Sequence, residues 1–246
     1  MALTLPPDRC FVIAEAGTNH ANDEPRDRLS YAFAYVEAAA EAKADAVKFQ
    51  WFAPFKTEDL FCPLPGDDLR WLRWNRTVLG PGEWLRVKQL AEGLGMVFLA
   101  STFQHTMVDW LNELGVVATK VASRAAMSFP YNDAPRPWLI STGMGGPPCA
   151  IFEPGDYELL QCESKYPSTA RWVSADEPGR LREGFSDHSG TPWRAIDAIS
   201  RGCRIVEVHY HLDERDAGPD LVASLTLDEL KLVTEARDAF ADLRKG

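Results

Sequence analysis

Eight short apolar runs, several of them followed by a helical pattern, set the tightest bound on what this chain can fold into. They are "FVIAE" (11–15), "DAVKFQ" (45–50), "MVFLAS" (96–101), "VATKVA" (117–122), "WLIST" (138–142), "YELLQC" (157–162), "EGFSDH" (183–188) and "RIVEVH" (204–209). Several are nearly continuous in apolar residues, which is the pattern of parallel strands covered by helices on the outside. Helical periodicity occupies 27–43, 82–94, 105–114, 192–201 and 226–243. Gly95, Gly115 and Gly202 stand as C-terminal stops, and Thr226 with Glu229 forms a capping box. Repeated strand–helix alternation over 246 residues predicts one (β/α)8 TIM barrel spanning 1–246, with an open doubly wound sheet as the alternative. The connections 124–137 and 143–156 are rich in proline and glycine, and proline in a helix interior costs about 3 kcal/mol. Two outer helices are therefore expected to be shortened or replaced by loops.

Charge and cysteine usage narrow the function. A net charge of −10 argues against nucleic acid and anionic membrane surfaces as partners, but leaves room for an anionic small molecule held by a few local cations. Five cysteines without a C-x-x-C pair read as reduced thiols. The start of the chain lacks the pattern of a secretory signal, and no run reaches 18 apolar residues. The expectation is a cytoplasmic protein.

In a barrel, strand side chains alternate inward and outward, and chemistry gathers at the C-terminal strand ends. Lys48 shares a face with Gln50, Ser186 with His188, and Glu207 with His209. Glu15, Ser101–Thr102, Lys120 with Ser123, and Ser141–Thr142 lie at other strand ends. A lone serine or threonine there commonly only caps the next helix. Two inward lysines require an anion, because an unpaired buried ammonium tends to lose its proton. The strands ending at His188 and His209 should be neighbours, bringing two imidazoles to one spot. Such a pair suits Mn²⁺, Mg²⁺, Fe²⁺, Co²⁺ or Zn²⁺. His20 and His211 read as polar loop residues near that spot.

The ordered segments "VIAEAGTNH", "ADAVKFQ", "FLASTF", "TKVAS", "LISTGM", "CESKYP", "GFSDHSG", "VEVHYH" and "GPDLVAS" resemble the sialic acid synthase family over roughly 11–240. Members condense phosphoenolpyruvate with N-acetylmannosamine or related amino sugars on a (β/α)8 barrel. The resemblance implies that Lys48, Thr102, Lys120, Ser123, Ser141 and Ser186 hold phosphoenolpyruvate. It also implies that His188 and His209 bind a divalent metal, typically manganese. Glu15, Gln50, Tyr166, Glu207 and Asp220 match positions around the acceptor sugar, the metal and its water, with Glu15, Glu207, Lys48 and Lys120 as the catalytic set.

Four departures stand out. The family's C-terminal antifreeze-like domain, which lends an arginine to the partner's sugar site, has no counterpart before Gly246. Ser164 replaces an asparagine of the donor site, Arg124 and Ala125 replace a Gly-Glu pair, and Asp67 replaces an asparagine that contacts the sugar. The expected activity is metal-dependent condensation of phosphoenolpyruvate with an aldose or N-acyl amino sugar. A pyruvate aldolase and a catalytically silent sugar-binding relative remain alternatives. Arg124 is a candidate for the missing cation, or a solvated surface arginine. Apolar barrel surface near the two trimmed connections suggests a homodimer.

Overall fold

The computed structural model describes residues 3–52, 59–62, 68–146, 152–153, 155–172, 184–213 and 218–245. All eight apolar runs are strands: β1 (Phe11–Gly17), β2 (Ala46–Trp51), β3 (Val97–Thr102), β4 (Thr119–Val121), β5 (Trp138–Ser141), β6 (Tyr157–Gln161), β7 (Gly184–Asp187) and β8 (Ile205–Tyr210). They are joined by parallel ladders in the order β3-β2-β1-β8-β7-β6-β5-β4. The two ends of this path, β3 and β4, lie side by side. The result is a barrel closed except for a ladder at the β3/β4 seam. A two-residue strand, β9 (Ser224–Leu225), extends the sheet at β8.

Outer helices are α1 (Arg28–Glu41), α2 (Asp68–Thr77), α3 (Pro81–Gly93), α4 (His105–Glu113), α5 (Pro192–Ser200) and α6 (Leu227–Lys245). The connection 124–137 holds only a 3-10 turn at Tyr131–Asp133, as its prolines require. Residues 147–151 and 154 of the other trimmed connection lie outside the described residues. The β6–β7 connection also carries no helix among its described residues, a third trimming that the sequence reading did not include. Conversely, α2 was not expected. Its sequence "DLRWLRWNRT" has little aliphatic periodicity, and it is anchored by Trp74 stacked on Phe52 at 4.5 Å between ring centres.

The two-residue period sorts the strand residues into layers. Phe11, Ile13, Ala46, Leu99, Ala118, Leu139, Leu160 and Ile205 fill the barrel interior as an apolar plug. Val12, Ala14, Val47, Phe49, Phe98, Val206 and Val208 belong to the outer core with buried helix residues such as Tyr35, Val87 and Val233. Leu3 and Leu5 pack beneath the plug, where the Leu3 amide donates to the Val117 carbonyl at 3.2 Å. On the same side the Asp45 carboxylate accepts from Arg9 (2.9 Å), Arg237 (2.9 Å) and the Val12 amide (2.8 Å). That clasp ties α6 to the starts of β1 and β2. No described helix is long and apolar enough to cross a membrane.

Candidate active site

Two residues beyond the plug, the inward position becomes polar on seven of the eight strands, β6 with Cys162 being the exception. Ile13 is followed by Glu15, Ala46 by Lys48, Leu99 by Ser101, Ala118 by Lys120, Leu139 by Ser141, Gly184 by Ser186 and Ile205 by Glu207. One further step gives Gln50, His188 and His209. Parallel register sets them level: Glu15 pairs with Lys48 on one side and His209 on the other, and Ser186 pairs with Glu207. Glu15, Lys48, Ser101, Lys120, Ser141, Ser186, His188, Glu207 and His209 are all buried.

The cluster is held by charge. Lys48 Nζ lies 2.7 Å from Glu15 Oε2 and 3.9 Å from Glu207 Oε2, and donates to Ser101 Oγ at 3.4 Å. Lys120 Nζ donates to Ser141 Oγ at 2.7 Å and lies 3.6 Å from Glu207 Oε1. Ser186 donates to that same Glu207 oxygen at 2.9 Å. Burial raises the Glu207 carboxyl, but Lys120 and Lys48 outweigh it and hold the group below the usual carboxylate range. Burial dominates at Glu15 and, with the Glu207 charge adding to it, pushes that carboxyl up despite Lys48. Burial also pulls Lys120 down, helped by the charge of Lys48 and opposed by Glu207.

The two histidines meet as their strands predict, with ring centres 5.5 Å apart. Burial is the main cause holding both below the usual histidine range, to about 4 for His188 and about 3 for His209, so both rings are neutral at physiological pH. His188 Nδ1 contacts the Glu163 carbonyl at 2.8 Å. A carbonyl only accepts, so Nδ1 carries the proton and Nε2 keeps its lone pair. Tyr166 stacks on His188 at 4.5 Å, with its hydroxyl 3.3 Å from that Nε2. His209 Nδ1, Glu15 Oε1 and Glu207 Oε2 are buried without a hydrogen-bond partner. Neutral imidazoles beside unsatisfied carboxylate oxygens are a donor set that suits a divalent cation. Among the described residues no group of three His, Cys, Asp or Glu side chains is arranged to hold a metal, so water and substrate would complete the coordination.

The polar cup has a volume of about 50 Å³ and opens into a cleft of about 270 Å³. Gln50, Ala122, Ser123 and Tyr166 line both. The cleft adds Thr18, Trp74, Phe103, Arg124, Met144, Ser164, Pro219 and Asp220. Ser123 and Ser164 touch through their hydroxyls at 2.6 Å. Gly17 joins the two spaces: it sits at a β1 irregularity with φ of +53°, and a Cβ there would lie 3.2 Å from Glu15 Oε1 and 3.4 Å from both Asp220 Oδ2 and His209 Cε1.

Not every expected residue arrives in the cup. Thr102 is one position out of phase with Leu99 and Ser101. Its Oγ1 accepts the Gln104 amide at 3.3 Å, while Ser101 takes the inward place. The strand-end reading left Ser101 and Thr102 together, and the family resemblance implied Thr102. Asp67 lies outside the described residues. His20 does lie in the turn after β1, but it is wholly buried and packed in rings, edge-on to Phe49 at 4.9 Å and to Trp84 at 5.9 Å. His211 follows β8, its amide bonded to the Leu225 carbonyl at 3.0 Å. Thr18, Trp74 and Phe103 were missed, because a threonine in a loop and two aromatics in apolar segments carry no chemical signal of their own.

Comparison with known proteins agrees with this arrangement. The chain is 32% identical to N,N'-diacetyllegionaminic acid synthase of Legionella pneumophila, with 96% of this chain and 74% of that protein aligned. It is 28% identical to a pseudaminic acid synthase of Campylobacter jejuni (97% and 76%) and to human N-acetylneuraminate-9-phosphate synthase (93% and 69%). The fold matches an N-acetylneuraminic acid synthetase structure from Leptospira borgpetersenii at a TM-score of 0.74 and 22% identity, covering 100% of this chain and 90% of the other. The model of the NeuB family matches residues 35–246, and with these relatives it establishes that the chain belongs to the NeuB family.

Proposed function

We propose that the protein joins phosphoenolpyruvate to a neutral aldose bearing acyl or deoxy groups, giving a 2-keto-3-deoxy sugar acid and inorganic phosphate. Condensation of phosphoenolpyruvate with a sugar is the reaction class of its NeuB-family relatives. The observation that carries the finer reading is the buried cluster of Lys48, Lys120, Glu15 and Glu207 beneath two neutral imidazoles. Lys48 and Lys120, with the hydroxyls of Ser101, Ser141 and Ser186, supply charged and neutral donors for the phosphate and carboxylate of the donor. Ser123 stands where the cup widens.

The divalent metal, Mn²⁺ in our reading, would be held by His188 and His209 and would supply Lewis-acid polarisation of the acceptor aldehyde. C3 of the enol forms a bond to the aldehyde carbon, water adds at C2, and phosphate leaves with the C2–O bond. Glu15 lines the cup beside Gly17 and His209, placed to hold the proton that the new alkoxide takes up. Glu207 keeps both ammonium groups charged and oriented. The acceptor lies in the wider cleft between Gln50, Tyr166 and Asp220. Trp74, Phe103 and Met144 give it an apolar wall for acyl methyls. Residues 1–246 act as one catalytic barrel, in the cytoplasm and as a homodimer; exposed Met127, on the trimmed connection 124–137, is apolar surface of the kind a second copy would cover.

Phosphate release with phosphoenolpyruvate and Mn²⁺ across a panel of aldoses and N-acyl amino sugars tests the reaction. One phosphate per sugar consumed is expected. A sugar acid formed from pyruvate without phosphate release would make the protein an aldolase instead.

A further inference from the structure

We propose that Arg73 is a positioning residue for the acceptor, acting through Thr18 and the turn at 218–220; this rests on the cleft being the acceptor site. Arg73 lies on α2, outside the barrel wall, yet only 7% of it is exposed. It does not line the cleft itself. Its Nη2 donates to the Thr18 carbonyl at 3.0 Å and its Nε to Thr18 Oγ1 at 3.3 Å.

That second bond fixes a direction. Thr18 Oγ1 receives the Nε proton, so its own hydroxyl hydrogen is left to donate to Asp220 Oδ2, 3.4 Å away. Thr18 and Asp220 both line the cleft, so a buried guanidinium orients two of its polar groups from behind. The turn is built to the same part: a Cβ at Gly218 would collide with the Arg73 guanidinium, so the backbone of "GPD" lies directly against that plane. The turn is closed by the Leu221 amide on the Gly218 carbonyl at 3.1 Å. Thr18 also directly follows Gly17, around which Glu15, Asp220 and His209 converge. One side chain on α2 thereby sets the β1–α1 loop against the β8–α6 loop. The planar fork matters, because a lysine ammonium cannot reproduce two divergent N–H bonds and a flat face at once.

The experiment uses the full chain, phosphoenolpyruvate, Mn²⁺ and whichever panel sugar the wild type turns over fastest. Arg73→Met should raise the sugar KM about tenfold or more, as for loss of a charge-assisted hydrogen bond. Its kcat and its calorimetric affinity for phosphoenolpyruvate should stay within about threefold, a split that general loss of folding would not give. Arg73→Lys should recover little. Thr18→Val should move the sugar KM in the same direction by less, and combining it with Arg73→Met should add nothing further, the mark of one pathway. If Arg73→Met does not fold, Thr18→Val and Gly218→Ala carry the same expectation. Unchanged sugar KM in Thr18→Val and Arg73→Lys, or parallel loss of donor and sugar affinity, overturns the assignment. A wild type that releases no phosphate with any sugar overturns the reaction reading, and this proposal with it.

Discussion

Glu15 and Lys48 are register partners on adjacent parallel strands, and their charged ends meet at 2.7 Å where neither is reached by solvent. The contact shows what holds Lys48 before an anionic substrate arrives: Glu15 one strand away at its tip, with the ionised Glu207 carboxylate 3.9 Å behind it. Removing one partner strands the other, which for a buried pair costs about 3–5 kcal/mol. Lys48→Met should therefore lower stability in denaturant titrations, and Glu15→Gln in the same chain should restore part of it. Donor affinity should not return with it. Calorimetry should find phosphoenolpyruvate binding weaker by about 2–4 kcal/mol in Lys48→Met and in Lys120→Met, the scale of a lost buried charge contact. Donor affinity within a factor of about two of wild type in both variants would remove the lysines from the donor site.

Metal binding should depend on both imidazoles. His188→Ala and His209→Ala should each abolish Mn²⁺ uptake, followed by the free-ion signal in electron paramagnetic resonance, with the circular dichroism of the barrel unchanged. Chelator should silence the wild type, and added Mn²⁺ should restore turnover. Full activity in chelator after dialysis would dismiss the metal role.

Gly17 makes a separate demand. Its positive φ costs an alanine about 1–2 kcal/mol. The new methyl would also crowd Glu15 Oε1 at 3.2 Å and come into contact with Asp220 and His209 at 3.4 Å. Gly17→Ala should stay folded, with a melting temperature lowered by several degrees. Its turnover should fall by far more than that stability loss explains. A variant with wild-type kcat and sugar KM would mean that this convergence is only structural.

Arg124 lines the cleft next to Ser123, as the first residue of the trimmed connection 124–137. If its guanidinium recognises an acyl carbonyl of the acceptor, Arg124→Lys should raise the sugar KM about tenfold and leave donor affinity alone. Unaltered kinetics in Arg124→Ala would make it a surface residue.

Much of this site was legible because the inward positions of buried parallel strands repeat every two residues. That period alone carries Ile13 to Glu15, Ala46 to Lys48 and Ile205 through Glu207 to His209, and chain order alone makes the strands of His188 and His209 neighbours. It left Ser101 and Thr102 together, and the structure puts Ser101 on the inward face of β3. What stayed hidden depends on contacts that no local pattern encodes. α2 is anchored by stacked aromatics rather than by an aliphatic stripe, and Arg73 looks like one more charge in a polar helix until Thr18 and Gly218 are seen against it. His20 reads as a loop residue, yet four-ring packing with Tyr35, Phe49 and Trp84 encloses it.

The missing ladder between β3 and β4 gives the barrel a gap, and the two lysines stand on its two banks. Lys48 with Ser101 belongs to the β2–β3 side, and Lys120 with Ser141 to the β4–β5 side. Breathing of the staves at this gap would part the two halves of the donor cup. A phosphoenolpyruvate held by both lysines, as we propose, would be a rung across it, a small anion fastening a hoop that the backbone leaves unbuckled.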